Sequence, residues 1–174
     1  MKKLSEIYLR EEDKKILVEI SHEKPEIPDK IKQKWQHIID TLANLLHVPS
    51  SLIMKIEENE IKVFLKGNIE GNPYKEGAGD ILGHGLYCET VIGRNEPLLV
   101  PDALNSNKWK DNPDVKLNMI SYLGYPIAWS DGQFFGTICV LDNKKNNYND
   151  IQKKVVKIFK DMIELDLERE LDYY

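Results

Sequence analysis

The sequence has 174 residues, 41% of them apolar and 30% charged, which fits one globular domain with appendages and argues against wholesale disorder. Twenty-four Lys and Arg against 29 Asp and Glu give a formal charge of −5, so no general attraction to nucleic acid or anionic membrane is expected. Two cysteines, Cys88 and Cys139, are too few for a disulfide framework or a zinc cluster.

The start, "MKKLSEIYLREEDKK", is basic but lacks the apolar stretch of a signal peptide, and no apolar run approaches a membrane span. The expected location is the cytoplasm. Residues 1–28 are charged, with one apolar cluster at 16–20 and Pro25 and Pro28 closing the segment, and read as a short helix or an adaptable arm. Residues 29–174 read as the domain proper. Asp29 is placed as an N-cap, after which Ile31, Trp35, Ile38, Ile39, Leu42, Leu45 and Leu46 recur at helical spacing until Val48-Pro49. "SSLIMKI" and "IKVFLKG" follow as a hairpin around the acidic turn 57–60, with Ile61, Val63 and Leu65 alternating against a wetter face.

Residues 67–85 carry six of the ten glycines and are too long for an idle connector. "LYCETVIGRNE" reads as a short helix, "PLLVPDA" as a brief strand, and "LNSNKWKDNPDVKLNM" as a polar excursion with a helical turn. "ISYLGYPIAWSDGQFFGTICVLD" then packs two apolar runs around Asp131-Gly132, a pair suited to a two-residue hairpin turn. From Asn149 onward a long helix is marked by Ile151, Val155, Ile158, Phe159, Met162, Ile163, Leu165 and Leu167. The order predicts an α+β fold: a single antiparallel sheet with the long N- and C-terminal helices on one face.

This order, and two of its words, resemble a GAF domain over residues 30–170. "GLYCETVIGRNEPLLVPDA" is similar to the family's short helix and edge strand. "SYLGYPIAWSDGQFFGTICVLDN" is similar to its final hairpin, with Leu123-Gly124-x-Pro126 in one strand and Gly136-Thr137-x-Cys139-Val140-Leu141 in the other. The wording is most like GAF domains beside histidine kinase or diguanylate cyclase modules. The resemblance implies a GAF/PAS-like sheet whose second face floors a loop-covered ligand pocket. It also implies a sensory input rather than an enzyme, and a homodimer through terminal helices that continue toward an output domain or partner kinase. On this basis Phe135, Thr137, Cys139 and Leu141 are assigned to the pocket side and Phe134, Gly136, Ile138 and Val140 to the helix side, an assignment that a one-residue bulge would reverse.

Candidate ligand-binding residues are Tyr87, Cys88, Asp102, Trp109, Ser121, Tyr122, Thr137 and Cys139. The competing readings are structural. Trp109 would pin its loop to the core, and Asp102 would cap the following turn. Cys88, near a helix start, is placed for a lowered thiol pKa, yet neither cysteine shows a base or resolving partner by spacing. A reductase of free methionine sulfoxide on the same fold, or a purely structural dimerisation module, are the alternatives. Asp80, His84 and Cys88 stand four apart, but Gly83 and Gly85 break any helix that would align them for a metal. Glu89 follows Cys88 and Val140 follows Cys139 where a bilin-attaching cysteine would precede a histidine. Asn143-Lys144 and Tyr148 echo only the start of a cyclic-nucleotide signature. The sequence thus names an unidentified small molecule and no cofactor.

Overall fold

The structure is a computed structural model that describes residues 1–174. It begins with a hairpin, β1 (Leu4–Leu9) and β2 (Lys14–Glu19), in which Ile7 faces Ile16. Helix α1 (Asp29–Leu46) leads to β3 (Ser50–Glu57), β4 (Glu60–Lys66) and the short β5 (Gly79–Ile81). Helix α2 (Tyr87–Arg94), β6 (Leu98–Val100) and two 3₁₀ turns at Ala103–Asn105 and Pro113–Leu117 follow. Strands β7 (Ser121–Ala128) and β8 (Phe134–Asp142) and helix α3 (Asp150–Asp172) complete the chain. β3 to β8 form one antiparallel sheet in the order β5-β4-β3-β8-β7-β6.

Two expectations are corrected here. The sheet is not the only one, because β1 and β2 make a second, two-stranded sheet. The first 28 residues are accordingly neither a helix nor an adaptable arm. Ile7, Leu9, Val18 and Ile20 are all buried, and they alternate along the hairpin, so a period of two hides under a charged composition. The hairpin packs on α2, where it covers Val91 and Ile92. Its exit is stitched to the β7–β8 turn: Ser21 N–H donates to the Phe134 carbonyl at 3.1 Å, and Trp129 Nε1 donates to Ser21 Oγ at 2.8 Å.

The sheet separates two apolar clusters. Leu123, Ile138 and Val140 pack with Trp35, Ile39 and Leu42 of α1 and Val156, Ile163 and Leu167 of α3. Leu52, Cys139 and Leu141 pack instead with α2, the N-terminal hairpin and the loops. The two long helices are tied by Asp166, which is 3% exposed and accepts from Lys34 Nζ and Trp35 Nε1, both at 2.9 Å. Asn149 and Gln152 exchange side-chain and backbone hydrogen bonds at the start of α3, a capping box that closes two orphan donors. α1 starts differently from expectation. Asp29 is its first residue and Pro28 the cap, with the Pro28 carbonyl accepting from Ile31 and Lys32. Its carboxylate still complements the helix dipole from the first turn.

Two bulges decide which aromatic faces where. Ile127 pairs with Gly136 and Ala128 with Phe134, so Phe135 is the extra residue; Ile53 pairs with Leu65 and Met54 with Val63, so Phe64 is another. A bulge places neighbouring residues on one face. Phe135 therefore joins the helix-side cluster and Phe134 the opposite one, which reverses their assignment by simple alternation, while Cys139 and Leu141 keep theirs. Gly136 is needed beside the bulge because its Cα passes against the Met54 backbone, where a Cβ would collide. The hairpin turn is also wider than a two-residue turn. Gly132 N–H donates to Trp129 O and Trp129 N–H to Gln133 O, with positive φ at Gly132 but not at Asp131. This is a three-residue loop closed by a glycine. Pro126 lies beyond the reach of β6, which pairs only with residues 122–124, so the donor it lacks is not missed there.

Candidate functional site

The face of the sheet away from α1 and α3 floors a cavity of about 300 Å³. Leu52 and Met54 of β3, Ile61 and Val63 of β4, Tyr122 of β7, and Cys139 and Leu141 of β8 form its base. Leu86 and Cys88 at the start of α2 make one wall. The roof comes from two loops, through Pro73 to Lys75 and through Pro113, Asp114 and Leu117. These loops are joined across the mouth, where the Tyr74 hydroxyl donates to Asp114 Oδ1 at 2.5 Å. Asn112 Nδ2 donates to Asp114 Oδ2 at 3.2 Å. Burial pushes the Asp114 carboxyl above its ordinary range and the charge of Asp80 adds to this, only partly offset by those two donors. Burial and the neighbouring Asp114 likewise push the Tyr74 phenol far up.

Of the eight residues singled out from the sequence, Cys88, Tyr122 and Cys139 line the cavity together. The Cys88 thiol and the Tyr122 hydroxyl are 3.2 Å apart. Burial, then the adjacent Cys88 thiol, push the Cys139 thiol well up, so it stays protonated. Tyr87 lies behind the wall, with its ring 4.7 Å from Tyr122 and 5.2 Å from Trp109. Its hydroxyl sits beside the Asn112 amide without an aligned hydrogen bond. Ser121 and Thr137 are buried in the strands, their hydroxyls without a protein partner, and neither reaches the cavity.

Asp102 and Trp109 take their structural roles. Asp102 accepts from Leu104 N at 3.2 Å and Asn105 Nδ2 at 2.5 Å, capping the first 3₁₀ turn. Trp109 is 2% exposed and donates from Nε1 to Glu11 Oε1 at 2.9 Å, while Arg10 lies over its ring at 5.7 Å. The N-terminal hairpin thus holds the roof. Its tip also holds α2, because Arg94 donates to Glu11 at 2.7 Å and to Glu12 at 2.8 Å. Arg10 donates from Nε to the Gly85 carbonyl and from a terminal nitrogen to the His84 carbonyl, both at 2.9 Å.

Two groups escaped the sequence reading. The Tyr74–Asp114 pair joins residues 40 apart in loops of unassigned conformation. Glu89 left a signal, as the lone charge inside the apolar word "LYCETVI". It is fully buried, and its carboxylate accepts from four backbone N–H groups: Tyr8 and Gly83 at 2.9 Å, His84 at 3.1 Å and Leu86 at 2.7 Å. One side chain therefore fixes the turn before α2, sets the position of Cys88, and docks β1. His84 is exposed on that turn, and no group of three His, Cys, Asp or Glu side chains is placed to hold a metal ion. No helix is long and apolar enough to cross a membrane.

The family model for the GAF domain matches residues 31–167. No curated protein matches the sequence. Among solved structures, the chain is similar to the blue-light absorbing form of the PixJ GAF-domain of Thermosynechococcus elongatus, with a TM-score of 0.64 and 16% identity over 83% of this chain and 90% of that one. A domain of a putative two-component sensor histidine kinase protein from Sinorhizobium meliloti 1021 gives 0.60 and 12% over 84% and 97%. The free methionine-R-sulfoxide reductase of Neisseria meningitidis, solved with its substrate, gives 0.67 and 10% over 82% and 80%. At such identities the likeness is one of fold. The hairpin of β1 and β2 lies outside the matched residues.

Proposed function

Because the chain belongs to the GAF domain family, we propose that it is a non-catalytic sensory module that holds a small molecule between its sheet and its two roof loops. The observation that carries this reading is the cavity itself: a largely apolar chamber with a few polar groups, roofed by loops that meet through one hydrogen bond between Tyr74 and Asp114. A ligand entering there exchanges that contact for its own, and so changes how the roof is held. The roof is joined through Trp109 and Glu11 to the N-terminal hairpin, and the floor strands carry α3 on their other face.

The output proposed is a homodimer acting through α3 on a histidine kinase or diguanylate cyclase type of module. Ile151, Ile158 and Leu165 support it, since they stand seven residues apart on α3 and are exposed. Met162, one turn beyond Ile158, packs against the helix-side cluster instead. The N-terminal hairpin does not cover this stripe, because its buried apolar residues, Ile7, Leu9 and Val18, belong to the cluster on the opposite face of the sheet.

One observation favours a second reading. The two cysteines meet in the cavity, as a thiol-dependent reductase would require. Against it, the hydrogen-bonding neighbour of Cys88 is the Tyr122 phenol, whose own pKa is driven up by burial, so that phenol stays protonated and does not act as a base. Hydrogen exchange with and without a cellular metabolite extract tests the sensor: residues 69–85 and 103–118 are expected to gain protection. Free methionine sulfoxide turnover with a thiol-recycling system, abolished by Cys88→Ser, would replace it with the reductase.

A further inference from the structure

Asp114 is a carboxyl group without a cationic partner. Its carboxylate lines the cavity, yet its side-chain partners are the neutral donors Tyr74 Oη and Asn112 Nδ2. No Lys, Arg or His nitrogen lies within the 4.0 Å of an ion pair. A carboxylate offers about four acceptor positions, and these two donors with its own backbone N–H leave roughly one open. The surroundings make ionisation costly, because most of the wall is aliphatic, aromatic or thiol, and a desolvated charge is expensive unless paired. Asp80 on β5 and Lys75 also line the cavity, one charge of each sign and both exposed to water, so they offset each other and leave Asp114 as the half-buried charge-bearing group.

We infer that the cavity takes a small organic cation, with an apolar body on the aliphatic floor and its charged nitrogen against Asp114; this rests on the sensor reading of the same cavity. An anion would face the Asp114 carboxyl. A neutral molecule would leave Asp114 as uncompensated as before. A cation supplies the missing partner and is also attracted by the rings of Tyr74 and Tyr122, both of which line the site. The raised Asp114 carboxyl is what such an unpaired position produces, and a cation would lower it again. The space equals about ten water molecules at the liquid's roughly 30 Å³ each, enough for a body of one or two rings.

Three probes of nearly one shape separate the possibilities: benzylamine, benzyl alcohol and benzoate. They would be titrated into the whole chain at neutral pH, followed through the amide resonances of Tyr122 and Cys139. Benzylamine is expected to bind at least ~10-fold more tightly than benzyl alcohol, a difference of about 1.4 kcal/mol, with benzoate weakest. Asp114→Asn should weaken benzylamine by about 10-fold and change benzyl alcohol by less than about 2-fold. If the variant does not fold, the ranking of the three probes on the wild type decides. Benzyl alcohol or benzoate binding as tightly as benzylamine overturns the cation while leaving the sensor reading in place. No response to any probe overturns the cation too, and the sensor reading falls with it only if the metabolite extract leaves both roof loops unprotected.

Discussion

The rings of Phe64 and Phe135 meet edge to face, 5.5 Å apart at 90°, although their strands, β4 and β8, are separated by β3. Each is the extra residue of a bulge, and the two bulges turn both rings onto Trp35 of α1, at 6.1 and 5.7 Å. Strict alternation would have put Phe135 on the cavity side. The bulges thus do two things at once. They supply the aromatic contact that seats α1, and they keep a large ring away from the face that carries the cavity. Phe135→Ala is expected to cost about 3–5 kcal/mol in urea unfolding. Phe64→Ala should cost less, because Phe64 is half-buried, and the double variant should show a coupling of about 0.5–1.5 kcal/mol. Additive costs would mean that the two rings do not cooperate.

Glu89→Gln tests whether one carboxylate organises the turn before α2. Glutamine keeps one acceptor oxygen but turns an NH₂ group toward backbone donors that now lack a partner. The expected loss is about 2–4 kcal/mol, with faster hydrogen exchange at Tyr8, Gly83, His84 and Leu86. An unchanged exchange rate at Tyr8 would show that β1 is held by packing alone.

Acid titration should separate Glu11 from Asp114, because their carboxyls move in opposite directions. Burial alone would raise Glu11, but hydrogen bonds from Arg94 and Trp109 outweigh it and hold the carboxyl below its ordinary 4.5. Its contribution is therefore present above that value and lost as pH falls through the depressed one. It should amount to less than about 1 kcal/mol, since 37% of the side chain is exposed. Asp114 is raised by burial from its ordinary 3.8, so its stabilising form is the protonated one, and that contribution disappears as pH rises through the raised value. Relative to wild type, Glu11→Gln should recover stability on acidification, and Asp114→Asn should gain it as pH rises from about 4 toward neutrality. Urea unfolding across this range, read by tryptophan fluorescence, checks both signs.

The proposed dimer predicts that wild type sediments as a dimer at micromolar concentration and that Ile158→Glu with Leu165→Glu is monomeric. Both side chains are more than half exposed, so the double variant should unfold within about 1 kcal/mol of wild type. A wild type that stays monomeric throughout sinks the proposal. The structural-module alternative gains instead if the dimer forms but no probe or extract alters the roof loops.

The sequence by itself carried the elements from α1 to α3 except the exposed β5, because a helix buried on one face and a strand buried on alternate residues write their periods into local spacing. It also carried the placement of Cys139 and Leu141 on the cavity side and of Ile138 and Val140 on the other, since no bulge intervenes between them. The N-terminal hairpin was hidden because its four buried residues are scattered among charges, and only their docking on α2 makes that short alternation stable. Tertiary structure alone decided the rest. The bulges at Phe64 and Phe135 are properties of strand pairs, not of strands. Tyr74, Asn112 and Asp114 become neighbours only when two loops close over the sheet, and Glu89 finds its four donors only in a folded turn and a foreign strand. A side chain's chemistry is set by what surrounds it. Here the surroundings come from segments up to 132 residues apart, as between Lys34 and Asp166, and no local pattern encodes them.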